Sequence, residues 1–431
     1  MGKFLAKSVL SDKLLEGSSH EGSSFLGGFR MHRVSVHSIF LSSFMALAAT
    51  LLLFPAAQAR RNEPVTGHVY ILTNSTDANA ISVFNRFSDG TLAFSRTTPI
   101  GGRGSGTGLG SQGSLFLSPN RHWLFAVDAG SNQISVIAVN GGSLHPLSLT
   151  NSAGIDPIGL AYSRGYLYVL NAGDQNNQAN VTIFRVEING HLDHLAGSTQ
   201  PVTSPGEVQA SPSGDQLIIT EKATNMIDSY KIRDDGRLSP RKSTPATGTT
   251  PFGFVFNPVS PQQFVVVDAF ANSSGIAGPN AGALTSYQAQ RNSTIKVLDG
   301  PVQDKQTAPC WVAIRPDGKF AYASNVINSS ISIYGVNQKN GKLTLNSTVS
   351  VAGATGPTEM ALTPNGNFLY ALDVNTSKGS TLAHPCAIQD AKVSSNGNIS
   401  AFRVNRDGSL SALQGLPSAN VPISSVSITA D

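Results

Sequence analysis

Three glutamates, three aspartates and one arginine occupy positions where this chain could do chemistry. Glu207 follows Pro205-Gly206, Glu359 follows Pro357-Thr358, and Glu221 lies in Thr220-Glu221-Lys222. Carboxyl groups held close together raise one another's pKa toward neutrality, and one of them can then draw a proton from an attacking water. Glu221, with Glu207, is the expected general base. Asp128, Asp268 and Asp373 fall at corresponding places in the chain, as do Thr73, Asn171, Glu221 and Asn325. Such a ring could hold a polyhydroxy ligand or a divalent cation such as Ca²⁺ or Mg²⁺. Asp and Asn at a strand end also cap the following turn through side-chain hydrogen bonds. Glu221 stands apart, because Glu is a poorer capper. Arg103 is the charged residue of the Gly-rich stretch Gly101–Gly110, and Trp311 and Phe252 add apolar surface beside the glutamates. With Asp128, Asp268, Glu359 and Asp373, Arg103 and Trp311 form the expected substrate-binding set.

Several other motifs carry less. The Gly-rich stretch is followed by neither Gly-Lys-Ser/Thr nor a helix-forming pattern, so it is not read as a phosphate loop. His191 and His194 have a ligand-like spacing but no third partner nearby in sequence. Asn74, Asn292 and Asn346 each open an Asn-Ser-Thr sequon, a glycosylation signal only in a eukaryotic secretory route.

The elements that must position these residues are legible as a repeat. Ser118-Pro119-Asn120, Ser211-Pro212-Ser213-Gly214, Arg315-Pro316-Asp317-Gly318 and Thr363-Pro364-Asn365-Gly366 each separate two apolar runs. The second run ends in the carboxylate or amide described above. About twenty residues later comes an Asp/Asn-Gly-x-Leu turn, as at Asp89-Gly90, Asn189-Gly190, Asp235-Gly236, Asn340-Gly341 and Asp407-Gly408. Asn-Gly and Asp-Gly between alternating apolar residues signal a hairpin. Two hairpins give four antiparallel strands per repeat. Innermost strands centre near Leu115, Gly159, Val208, Phe254, Val312, Met360 and Val426, which predicts an all-β, seven-bladed β-propeller. Ser425–Ala430 should complete the blade begun at His68–Thr73, closing the ring and removing free edges. Strand direction puts the long insertions, Gly101–Gly113, Ala172–Ala179, Ala271–Ala283 and Val374–Asn398, on one face with the innermost-strand entrances, where binding is expected. Cys310 and Cys386 lie on that face and are expected to pair.

Residues Ile39–Phe54 form a short apolar run after Arg30, His32 and Arg33, and Ala57-Gln58-Ala59 follows it. This describes a secretory signal peptide over residues 31–59. Residues 1–30 are expected to be a non-structural extension, with translation beginning at Met31. The propeller should then occupy residues 60–431, secreted or periplasmic, with no stable membrane span after cleavage. Five Lys/Arg and three Asp/Glu precede Arg60, leaving 25 basic against 23 acidic residues. That balance argues against a nucleic-acid partner. A monomer binding a small molecule is expected.

The Pro-Asn/Asp-Gly turns followed by x-x-x-Tyr strands, each with its Asp/Asn-Gly-x-Leu hairpin, resemble the lactonase-type seven-bladed propellers. That family includes 6-phosphogluconolactonases and carboxymuconate cyclases, and the resemblance spans essentially the whole mature chain. It implies a site at the channel mouth and opening or closure of a lactone ring. Enzymes of the family carry a glutamate ending a second strand, which is the place of Glu221. They also carry Arg and His at inner-strand entrances. Here those entrances read Pro157-Ile158, Pro205-Gly206-Glu207, Pro251-Phe252, Pro309-Cys310-Trp311 and Pro357-Thr358-Glu359. An anionic substrate would lack its arginine clamp. The expectation is therefore an exported hydrolase of a neutral lactone, with a non-catalytic propeller binding a sugar, peptide or cation as the alternative. No resident cofactor is expected.

Overall fold

The structure is a computed structural model, and it describes residues 63–269, 279–354, 356–373, 386, 397–413, 421–422 and 424–431. The leader at 31–59, residues 1–30, and most of the insertions 271–283 and 374–398 lie outside the described residues.

Alternating β-branched and aromatic residues build strands whose two faces pack against the neighbouring blades. The blade of Pro205–Ala210, Gln216–Glu221, Met226–Lys231 and Lys242–Pro245 shows the pattern, four antiparallel strands in sequential order. Six other sheets repeat it, with innermost strands Leu115–Leu117, Pro157–Ser163, Pro251–Phe256, Pro309–Ile314, Pro357–Leu362 and Ser427–Ala430. The blade that starts at Pro157 gains an extra short strand, Gln200–Pro201. We number the blades one to seven from the blade containing Val65–Leu72. The innermost strands adjoin one another in a closed cycle, each meeting the next and Pro357–Leu362 meeting Ser427–Ala430. The only helix among the described residues is a single turn, Ala129–Ser131.

Ring closure is made by the chain's last strand. Ser427–Ala430 pairs antiparallel with Val69–Leu72, as expected from the repeat. Side chains reinforce it: Tyr70 donates to Asp431 Oδ2 at 3.0 Å, and Arg86 Nη2 donates to the Asp431 main-chain oxygen at 2.9 Å.

The turn signatures have a second task that spacing alone did not reveal. Gly90, Gly236 and Gly408 adopt φ of 88°, 78° and 83°, the region in which a side chain is strained. Their carbonyls accept hydrogen bonds from buried tyrosines of the preceding blade: Tyr370 to Gly90, Tyr168 to Gly236 and Tyr322 to Gly408, at 2.9–3.0 Å. The repeated tyrosine and the repeated glycine therefore form one inter-blade link.

Candidate functional site

Each inner strand runs from the long-loop face toward the tight-turn face. A cavity of about 320 Å³ lies along the channel, lined by inner strands of blades one, two, three, four and seven. Its wall carries the apolar side chains of Leu115, Phe116, Leu160, Val208, Met360 and Leu362, but polar atoms make up more than half of its accessible surface. Glu207 and Glu359 also line it. They hold the same place in their blades, two residues after the prolines that open Pro205–Ala210 and Pro357–Leu362. Among the described residues, no lysine or arginine lines the cavity.

The two carboxyl groups differ in how fully they are engaged. Glu207 accepts from the Phe254 N–H and from Gln209 Nε2, both at 2.5 Å. Gln209 Nε2 also donates to the Phe254 carbonyl at 2.6 Å. The two side chains thereby grip both polar groups of one residue in the next blade. Glu359 accepts from the Gly113 N–H at 3.1 Å through Oε1, while its buried Oε2 makes no hydrogen bond of ordinary geometry, although the Ser427 hydroxyl lies near the carboxyl group. Burial lifts the Glu359 carboxyl to about 8 against the pull of Ser427 and the Gly113 N–H. Burial also pushes Glu207 well above the usual carboxylate range, and the nearby Glu359 charge pushes it further.

At its loop-face end the channel is filled by four residues of the Gly-rich segment, Gly110-Ser111-Gln112-Gly113. Lys222 Nζ of blade four donates to the Gly110 carbonyl at 2.7 Å. Ser111 Oγ donates to the Ile158 carbonyl of blade three at 2.6 Å, and the Ser111 carbonyl accepts from Trp311 Nε1 of blade six at 3.0 Å. The Gln112 amide exchanges two bonds with the Val312 main chain of blade six, at 3.1 and 3.0 Å. In blade five, a Cβ at Gly253 would lie 2.5 Å from Gln112 Oε1, so the crossing needs glycine there. With Gly113 bonded to Glu359 of blade seven, this segment of blade two touches five other blades. Lys222 lies beside it, 5.4 Å from the Phe252 ring centroid, with burial lowering its amine to about 8 against the pull of Asp156.

The expected site residues separate. Glu207 and Glu359 share the cavity, but Glu221 joins neither. One Glu221 oxygen accepts from the Thr203 N–H and the other from Thr224 Oγ1, both at 2.7 Å, and Arg241 lies 3.5 Å away. Asp128, Asp268 and Asp373 are buried within their blades. Each accepts from a hydroxyl on the third strand: Ser135 at 2.7 Å, Thr285 at 2.7 Å and Ser400 at 2.5 Å. Asn171 and Asn325 make the corresponding link in the reverse direction, donating through Nδ2 to the Thr182 and Ser332 hydroxyls. Side-chain capping is thus real, but its partner is the third strand rather than the next turn. In blade four the hydroxyl's place is taken by Asp228, so Glu221 faces a second carboxyl with Arg241 between them. Trp311 is spent on Ser111 and on the Phe252 ring, centroids 5.3 Å apart. Arg103 is exposed, and its main-chain N–H is held by Ser131 Oγ.

Other expectations resolve simply. Cys310 and Cys386 form a disulfide with Cα atoms 5.4 Å apart. Asn74 is fully buried and donates to Ser105 Oγ and the Thr107 carbonyl, which removes it as a glycan acceptor. Asn292 and Asn346 are exposed. His194 packs against Phe184 on an outer strand, and no cluster of three or more His, Cys, Asp or Glu among the described residues could hold a metal ion. No helix among the described residues is long and apolar enough to cross a membrane. Sequence reasoning missed Gln112 and Gln209, whose amides join distant strands. Their signal was weak: a polar residue at an inner-strand start and one in an otherwise apolar alternation.

The fold and this channel define a seven-bladed β-propeller. Residues 277–384 match the family model described as lactonase, 7-bladed beta-propeller. The 6-phosphogluconolactonase of Serratia proteamaculans is 23% identical over 222 residues, 41% of this chain and 67% of that protein. That of Bacillus subtilis is 21% identical over 283 residues, 62% of this chain and 78% of its own length. A solved periplasmic gluconolactonase of Pseudomonas aeruginosa shares the fold, with TM-score 0.62 and 17% identity over 84% of this chain and 98% of that one. Together these matches support a lactonase-type propeller family.

Proposed function

We propose that this chain is an exported hydrolase that opens an uncharged lactone ring in the central cavity, with Glu359 as general base. One observation carries the reading: the Glu359 carboxyl lines the cavity together with a second carboxyl, Glu207, and none of the described residues on that wall is cationic. A phosphorylated sugar lactone would bring charge into that cavity with nothing to pair it, at a cost of several kcal/mol. Export is supported by the Cys310–Cys386 disulfide, which persists in an oxidising compartment.

The chemistry follows from the two carboxyl states. Ionised Glu359 takes a proton from a water adding to the lactone carbonyl. The tetrahedral oxyanion collapses, the ring C–O bond breaks, and the departing alkoxide recovers that proton, leaving a hydroxy acid. Glu207, held by Gln209 and the Phe254 N–H, keeps the wall in place, and an ionised Glu359 favours its protonated form. The Thr429 and Tyr162 hydroxyls lie on the same wall nearer the turn face, where they can hold the outer oxygens of the substrate. A Lewis-acid cation finds no three-ligand cluster among the described residues, and no step is assigned to one.

The test is hydrolysis of neutral and phosphorylated lactones by wild type, Glu359→Gln and Glu221→Gln. Turnover should be confined to the neutral members and fall about 10²–10⁴-fold in Glu359→Gln, the usual worth of a general base. In wild type, kcat/KM should rise with pH through about 8, where Glu359 ionises. Loss of turnover in Glu221→Gln with retention in Glu359→Gln would overturn the assignment. Absence of turnover on every lactone would leave a binding propeller for an uncharged sugar or peptide.

A further inference from the structure

We infer that the ligand reaches the central cavity from the tight-turn face, opposite the long loops, because the Gly110–Gly113 segment seals the other end. The inference rests on the reading that this cavity is the site. The seal is built from opposite sides of the ring. Blades three and four hold Ser111 and Gly110, blade six holds Ser111 and Gln112, and blade seven holds Gly113. Leu109, Ser111 and Gln112 are buried, as a segment wedged into a channel must be.

Exposure along the wall gives the direction independently. Near the seal, Glu207, Val208, Glu359, Met360, Leu160 and Leu115 are buried. One or two residues nearer the turns, Leu117, Tyr162, Ala210, Leu362 and Ala430 are all partly exposed. Every inner strand that lines the cavity shows this change in the same sense. The rim so exposed is apolar apart from Tyr162, Gln209 and Thr429. The ligand it admits is therefore uncharged, with groups that meet this mixed polar and apolar rim while its carbonyl end reaches Glu359.

The experiment reads access directly and needs no turnover. Both native cysteines are paired, so one introduced thiol reports alone. Ala361→Cys, with Ala161→Cys as a second probe should the first misfold, places that thiol on the cavity wall. Its reaction with methyl methanethiosulfonate is timed with and without a tryptophan at the turn-face rim, Ala210→Trp, or on the loop face, Thr107→Trp. We expect Ala210→Trp to slow labelling at least tenfold and Thr107→Trp to change it less than twofold. Labelling slowed by Thr107→Trp, labelling indifferent to Ala210→Trp, or failure of both thiols to react would each overturn the inference. Lactone hydrolysis measured on the same proteins separates the two claims. Labelling gated at the rim without hydrolysis would remove the proposed activity and leave the entrance standing.

Discussion

A buried carboxyl group held by a third-strand hydroxyl occurs in blades two, five and seven, at Asp128, Asp268 and Asp373, and Asp128 accepts also from Asn79 Nδ2 at 2.9 Å. Burial outweighs the hydroxyl's help and lifts Asp268 and Asp373 to about 7 and Asp128 to about 6. In the unfolded chain these groups ionise near 4. Between about pH 4 and 7 the folded state therefore holds protons that the unfolded state has lost, and stability falls as pH rises through that window. Asn171 and Asn325 fill the same place in blades three and six without a charge. Asp268→Asn combined with Asp373→Asn should raise the melting temperature at pH 8 and flatten its decline from pH 5 to 8. Thermal melts at the two pH values check this, and an unchanged decline would mean that these groups stay ionised in the fold. At this scale the sequence was half legible. It marked the carboxylates, and it marked Glu221 as the exception. It could not show that Glu207 would meet Glu359 across the ring, since facing across a channel leaves no periodic trace.

At the scale of elements, strands and turns were legible because their chemistry is local. Pro-Asn-Gly and Asp-Gly turns demand particular backbone angles, and alternation declares the strand between them. The Gly-rich segment was not legible. Glycine abundance reads as a loose connection, whereas here it allows a main chain to lie inside a channel and lets Gly253 accept Gln112 at close range. Gln112→Ala tests the seal. It leaves the N–H and carbonyl of the buried Val312 unpaired, a loss of about 1–3 kcal/mol for each group that water cannot reach. Urea unfolding should show a lower midpoint, and thiols on the cavity wall should label faster. A midpoint equal to wild type would mean that water fills the vacated place at no cost.

For the whole molecule, counting repeats was enough to predict both seven blades and the strand that closes them. The count works because a propeller is nearly one-dimensional in sequence, with each blade made from a contiguous stretch of chain. The disulfide is the covalent addition to this order, joining residues 76 apart. Replacing both cysteines by alanine should destabilise the protein by up to about 4.5 kcal/mol, the chain-entropy value for a loop of that length. Chemical denaturation of the variant beside wild type, and of wild type under reducing conditions, measures it. Identical midpoints would show that the blades alone set stability.

The four-residue seal carries one more consequence, in the time domain. Its bonds join Gln112 to Val312 across 200 residues and Gly113 to Glu359 across 246. Contacts so distant along the chain are reached only after the intervening blades have drawn their ends together, because loop-closure entropy must be met first. The seal thus acts as a keystone, set when the arch is already standing. Its loss should hasten unfolding far more than it slows folding.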